Sequence, residues 1–257
     1  MARKIAISTN KGGVLKTSIT TNLAGVLAKK KEKVLIIDTD NQGNTSLTFG
    51  RNPDQFTNTL YDVLVDGLNP KYAIVNVYKN IDILPSNRDM SFFELDVLTQ
   101  LDKYKDIFYL LHHTIQKIEH NYDYILIDTP PNLGLVQGNV LTSVDEVLIP
   151  FQPENYSMRS VIDILDSIKR FKKENNPSLK VIGIVATLVD LRTTLHTEIL
   201  EECRKFCYQN DLPMLDVIIP KTIRYATSVA YNRLPATLVE KKTELVKAYY
   251  DLEREIC

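Results

Sequence analysis

Cysteine is scarce in this chain, with three residues among 257. Two of them, Cys203 and Cys207, stand four apart, the spacing of neighbours on one helix face. So few thiols exclude a disulfide framework, and their spacing argues against a structural zinc site. They read as reduced side chains packed along a helix in a cytoplasmic protein. Long hydrophobic runs are missing too. The longest are strand-sized, so no segment spans a membrane. Met1-Ala2-Arg3-Lys4 leads straight into a first strand with no secretory h-region, so a cytoplasmic location is expected. Neither sign of charge dominates. With 31 Lys+Arg against 32 Asp+Glu the net charge is −1, which excludes the global basic field of many nucleic-acid binders. Nine glycines and 11 prolines leave no low-complexity linker, and no internal repeat is evident.

What is present is apolar patterning. At 44% hydrophobic residues, the chain can bury a full core as one domain over residues 1–257. Strands are expected near 4–9, 33–38, 81–84, 124–128, 145–149, 180–187 and 214–218. Helices are expected near 17–30, 89–101, 104–120, 134–142, 155–175, 194–209 and 242–255. Buried strands alternating with helices predict an α/β fold, a mostly parallel, doubly wound sheet flanked by helices.

The most informative stretch is Lys11-Gly12-Gly13-Val14-Leu15-Lys16-Thr17-Ser18, directly after the apolar run Ile5-Ala6-Ile7. A strand entering a glycine-containing turn, then Lys-Thr at a helix start, is the layout of a phosphate-binding loop. Backbone N–H groups and a helix N-terminus face an anion there, and Lys16 reaches its outer phosphates. One position departs from the pattern. Glycine is wanted just before the lysine, and position 15 is leucine. Leucine keeps the turn only if its backbone angles suit an L-residue and its side chain points away.

Two further strands end in carboxylates. Val34-Leu35-Ile36-Ile37 runs into Asp38-Thr39-Asp40, and Tyr124-Ile125-Leu126-Ile127 runs into Asp128-Thr129-Pro130-Pro131. Ligands sit at such strand ends in an open parallel sheet. Mg²⁺ bridging two phosphates needs hard oxygen ligands, and Thr17 and Asp128 are the matching pair, with Asp38 alongside. Asp40 is then free to orient the attacking water. The plain alternative for each aspartate is a helix cap or a solvated turn.

With these residues in hand, the chain resembles the ParA/Soj-type partition ATPases, the deviant Walker-A class of P-loop NTPases, in their short form. The family's loop is K-G-G-x-G-K-[ST]-[ST], and its first lysine falls on Lys11. The resemblance continues in order through Asp38 to Asn44, Leu60-Tyr61-Asp62-Val63-Leu64, Asp128 to Leu135, Pro150-Phe151-Gln152 and Glu154-Asn155-Tyr156. It ends with Asp190-Leu191-Arg192 and Ile219-Pro220-Lys221-Thr222-Ile223-Arg224.

The resemblance implies ATP and Mg²⁺ on residues 11–18, with Ser18 near the α-phosphate and adenine against the Ile219-Pro220 turn. It implies a homodimer closed over nucleotide, each Lys11 reaching the partner's γ-phosphate. Non-specific DNA contacts fall on Arg192 and Lys221, with Arg224 nearby, and a ParB-type adaptor stimulates hydrolysis. No N-terminal helix-turn-helix is expected, since the first strand begins so early. The cluster Lys169-Arg170 with Lys172-Lys173 reads as a solvated helix end. A membrane-cycling relative would need a basic amphipathic C-terminal helix, whereas this tail is acidic at its end. An iron–sulfur relative would need cluster cysteines near the dimer axis, and none follow the relevant strands. The alternative of a different class is a hydrolysis-impaired, nucleotide-gated regulator of replication or transfer on a mobile element, with Leu15 as the cause.

Overall fold

The computed structural model describes residues 1–190, 192–222, 224–239 and 243–257. Leu191, Ile223 and the expected first residue of the last helix, Lys242, lie outside the described residues, as does the side chain of Arg224.

Among the described residues eight strands form one sheet. They are β1 (Arg3–Ile7), β2 (Val34–Asp38), β3 (Val75–Tyr78), β4 (Ile81–Leu84), β5 (Tyr124–Asp128), β6 (Glu146–Phe151), β7 (Lys180–Val189) and β8 (Met214–Pro220). Their order is β3-β4-β2-β5-β1-β6-β7-β8. Every pairing is parallel except β3 with β4. The helices are α1 (Lys16–Lys29), α2 (Asn44–Thr48), α3 (Leu60–Val65), α4 (Phe93–Leu98), α5 (Leu110–Gln116) and α6 (Leu135–Ser143). They continue with α7 (Ser157–Glu174), α8 (Thr194–Gln209), α9 (Arg224–Asn232), α10 (Ala236–Val239) and α11 (Glu244–Ile256).

The central strands are apolar throughout because each face feeds a different core. On β2, Leu35 and Ile37 enter one cluster and Val34 and Ile36 the other; on β5, Ile125 and Ile127 oppose Leu126 in the same way. Strand side chains alternate with period two, so helices on both sides must cover them. Each such residue is fully buried and contributes about 1.5–3 kcal/mol by leaving water.

The first helix is clasped by the last quarter of the chain. Asn22 Oδ1 accepts from the Thr237 N–H at 3.0 Å, and Thr237 Oγ1 donates to the Asn22 carbonyl at 2.9 Å. Tyr249, fully buried, stacks edge-on against Tyr225, and its hydroxyl lies 2.9 Å from Ser18 Oγ.

The seven expected strands are all present. The edge strand β3 was not expected, nor were the short helices α2, α3, α9 and α10. The helices expected over 89–101 and 104–120 are shorter, α4 and α5, extended by single 3₁₀ turns at Arg88–Ser91 and Glu119–Asn121. Cys203 and Cys207 are buried free thiols on α8, as read from their spacing.

Candidate functional site

Strand order places the site. β1 lies between β5 and β6, while the chain leaves β1 through α1 to reach β2 on the far side of β5. Such a reversal opens a crevice at the carboxyl ends of the strands. Local bonds hold these ends together. Thr39 Oγ1 donates to the Asp128 carbonyl at 2.7 Å, and Thr129 Oγ1 donates to the Ile7 carbonyl at 2.8 Å. Ser8 Oγ lies within hydrogen-bonding distance of the buried Gln137 amide on α6.

The loop after β1 turns through two left-handed residues, Gly13 at φ 74° and Leu15 at φ 69°, ψ 23°. Leu15 therefore fails the first of the two conditions set for it. Its backbone has the conformation that favours glycine, at a cost of roughly 1–2 kcal/mol for an L-residue. It meets the second condition, since its side chain packs against the core cluster on the α1 face of the sheet. Gly12 abuts the Pro131 ring, and Val14 is buried.

Lys16 is the first residue of α1 and is largely buried. Its ammonium curls back over the loop, donating to the Lys11 carbonyl at 2.9 Å and the Thr9 carbonyl at 3.4 Å. Burial pulls its pKa below the ordinary value, against the opposing pull of Asp128 and Asp40. Lys11 points elsewhere. Its ammonium meets Glu154 Oε2 at 2.9 Å and Ser157 Oγ at 3.0 Å, at the start of α7. That bond holds the Glu154 carboxyl below its usual range, helped by the charges of His196 and Lys221.

Asp38 and Asp128 stand in register on adjacent strands, both fully buried. Asp38 accepts backbone N–H groups from Asp40 at 3.0 Å and Thr45 at 3.1 Å. Asp128 receives the Thr45 hydroxyl at 3.3 Å and faces the Thr17 hydroxyl. Its other oxygen, Oδ1, has no partner. Desolvation pushes Asp128 up to about 6, and desolvation with the neighbouring charge raises Asp38 well above the carboxylate range. Two anions this close in low dielectric lack a positive charge, and an orphaned carboxylate oxygen is costly. Hard-oxygen donors with a spare lone pair fit Mg²⁺ shared with phosphates. Asp40 is half-buried and accepts the Gln42 N–H at 3.0 Å. It lines a cleft of about 460 Å³ together with Asn41, Gln42, Glu94, Pro130 and Pro131.

The residues read as binding phosphate, metal and water thus converge on one corner. Others stand apart. Ser18 Oγ is engaged by Tyr249. The Ile219 side chain is fully buried, so at that turn Pro220 is the exposed side chain. Arg192 is exposed and forms a two-point ion pair with Asp190, at 2.8 and 2.7 Å. Lys221 is exposed where β8 ends, its N–H donating to the Val189 carbonyl at 3.3 Å, so it shares that corner of the sheet with the 190–192 turn. Arg224 opens α9, and its side chain is outside the described residues. Lys169, Arg170, Lys172 and Lys173 are exposed along the end of α7. No described helix is long and apolar enough to cross a membrane.

Sequence reasoning missed the roles of Thr45, Gln137, Glu154 and Ser157. Glu154 and Ser157 carried a faint signal, an acid and a hydroxyl three apart at the mouth of an amphipathic helix.

The family described as AAA domain (AAA_31) matches residues 2–181. The chain is 34% identical over 265 residues to a ParA family protein of Mycoplasma pneumoniae, covering 98% of this chain and 96% of the relative. It is 33% identical over 258 residues to the chromosome partitioning protein ParA of Caulobacter vibrioides, covering 99% and 93%. Among solved structures it superposes with a TM-score of 0.84 on cobyrinic acid a,c-diamide synthase from Mycobacterium smegmatis with bound ATP analog and magnesium. That pair is 28% identical and covers 99% of this chain and 93% of the other.

Proposed function

Because the chain belongs to the ParA family of ATPases, we propose that it partitions plasmid or chromosomal DNA by an ATP-gated cycle of pairing and release, all of residues 1–257 acting as one ATPase unit. The observation that carries this reading is the pair of lysines on one turn. Lys16 is folded into the loop, and Lys11 is turned outward from it. The name of the Caulobacter relative supports partition as the task, and the ligands of the Mycobacterium smegmatis structure support ATP and Mg²⁺.

Backbone N–H groups of residues 12–17 cradle the phosphates, and the Lys16 ammonium, partly desolvated, gives its charge to the outer ones. Thr17 and Asp128, with Asp38 behind, would hold Mg²⁺, which when bound neutralises charge on the transferred phosphoryl group. Asp40 orients the attacking water from the cleft beside them. Lys11 leaves Glu154 and completes the site of a second copy. Closure brings Arg192, Lys221 and Arg224 of two chains to one face, where they contact DNA phosphates without reading bases. Hydrolysis is slow alone and speeds up with a ParB-type adaptor. The protein then works in the cytoplasm, on the nucleoid while ATP is bound.

Sedimentation of apo, ADP and ATP forms, with and without plasmid DNA, tests the cycle. Pairing and salt-sensitive DNA association only with ATP are expected. DNA association indifferent to nucleotide overturns the reading. The left-handed Leu15 motivates the second reading, a nucleotide-gated regulator with impaired turnover. Phosphate release that stays at background with DNA and adaptor present would favour it.

A further inference from the structure

The segment from Arg88 to Tyr104, wound as α4 with tight turns at both ends, is apolar all round. Phe93, Val97 and Tyr104 are buried in the core. Phe92, Leu95, Leu98 and Leu101 recur at every third residue and are 45–61% exposed. A helix hydrophobic on every side is normally a covered one. Leu98 also lines a groove of about 450 Å³ with Leu133, Ile107, Phe108 and Phe171, and Leu133 is itself half exposed. Contiguous exposed apolar surface of this kind marks an interaction site.

Charge selects the occupant. From Asp89 to Asp102 the segment carries four carboxylates, Asp89, Glu94, Asp96 and Asp102, and no lysine or arginine. Across the groove Arg170 is already paired with Glu174 at 3.3 Å. Lys103, beyond the stripe, donates to the Val65 carbonyl. A second copy of the same acidic face, an anionic membrane and DNA are all repelled here.

We propose that the exposed face of Phe92, Leu95, Leu98 and Leu101, with the adjoining groove at Leu133, docks a basic amphipathic helix of a partner protein. Apolar side chains at three- and four-residue spacing fill the stripe and groove, and flanking lysines or arginines meet Asp102 and Glu94. The face is tied to the site already described. Glu94 Oε2 accepts the Leu135 N–H at 3.2 Å at the start of α6, and a Cβ on Gly134 would lie 2.5 Å from that oxygen. The carboxylate therefore braces the loop that follows Asp128, and an occupant pressing on Leu98 and Leu133 bears on that loop. The effect on turnover rests on the function proposed above; docking itself does not.

The test uses a labelled 20-residue helical peptide with leucines on one face and lysines flanking them. Fluorescence anisotropy follows its binding to the full-length protein. Binding that weakens with salt is expected. Leu95→Ser with Leu98→Ser should weaken it on the order of tenfold or more, with an unchanged melting temperature, since both side chains are exposed. Asp102→Lys should weaken it several-fold at low salt only. Equal affinity for the serine variant, or for a peptide with glutamate in place of lysine, overturns the proposal. So does loss of ATP-driven pairing in the serine variant with peptide binding unchanged, which assigns the face to a second copy. A fluorescent ATP analogue on the same samples separates the two readings. Peptide bound without nucleotide sinks the partition cycle alone, and nucleotide bound without peptide sinks the docking face alone.

Discussion

Lys11 and Glu154, 143 residues apart in sequence, meet at 2.9 Å across the mouth of the nucleotide loop. The lysine's charge is answered within its own chain, while Lys16, five residues on, bonds only backbone carbonyls of the loop. The two lysines should therefore fail differently when removed. Lys16→Ala should weaken binding of a fluorescent ATP analogue by about a hundredfold, the loss of a charged hydrogen-bond donor in a desolvated site. Lys11→Ala should bind the analogue within a few-fold of the parent and fail to pair in sedimentation.

Asp40→Ala should bind nucleotide normally and lower turnover by roughly 10²–10⁴, the usual contribution of a positioned base. The ATP-bound pair should then persist on DNA, seen as a complex that no longer dissociates over a turnover time course. Turnover at the parental rate would remove Asp40 from the chemistry.

The buried acids give a pH signature. Asp128 is raised from 3.8 to about 6 in the folded chain, so between those values the folded form holds more protons than the unfolded one. Stability is then greatest below about 4 for this group and is lost as pH rises through about 6, by an amount on the order of 3 kcal/mol. The nucleotide-free protein should melt lower at about pH 7.5 than at about pH 5.5. Asp128→Asn should flatten that difference, as should Mg²⁺ with ATP. A melting temperature that instead rises over this interval, and does so equally in the asparagine variant, contradicts the assignment.

Arg192 is held by Asp190, and the carboxyl is pulled well below its usual range by that contact. An arginine so paired must release its carboxylate to meet a phosphate. Asp190→Asn should therefore tighten DNA binding several-fold at low salt, whereas Arg192→Glu should abolish it. Both should leave nucleotide binding alone, as measured by gel shift and analogue fluorescence side by side.

Leu15→Gly relieves a left-handed leucine yet gives up partly buried side-chain packing and adds backbone freedom. These effects oppose each other within about 1–2 kcal/mol. The melting temperature should barely move, and turnover should change by less than tenfold. A larger rise in turnover would identify the leucine as a brake.

The sheet was legible where strands are buried on both faces. Residues 33–38 and 124–128 were expected and β2 and β5 match them, because unbroken Val, Ile and Leu runs have few alternatives in a domain of this size. β3 escaped because Val75 to Tyr78 alternates half-buried with exposed at the sheet edge, and its hairpin partner is fixed by tertiary pairing. α2 and α3 are too short for periodicity to register. The loop and its aspartates were readable because phosphate chemistry demands particular residues at particular spacings. The handedness at Leu15 was not, since the same letters fit a turn of either hand. Lys11 with Glu154 was hidden by sequence distance, and Arg192 with Asp190 by a rotamer choice that no pattern encodes.

The bonds from Asn22 to Thr237 and from Ser18 to Tyr249 make the phosphate loop's helix a shared possession of both halves of the chain. A proteolytic nick near Leu234 would leave the glycine turn chemically intact, yet strip the support from beneath it. Integrity of that distant segment is thus a precondition for gripping a nucleotide more than two hundred residues upstream.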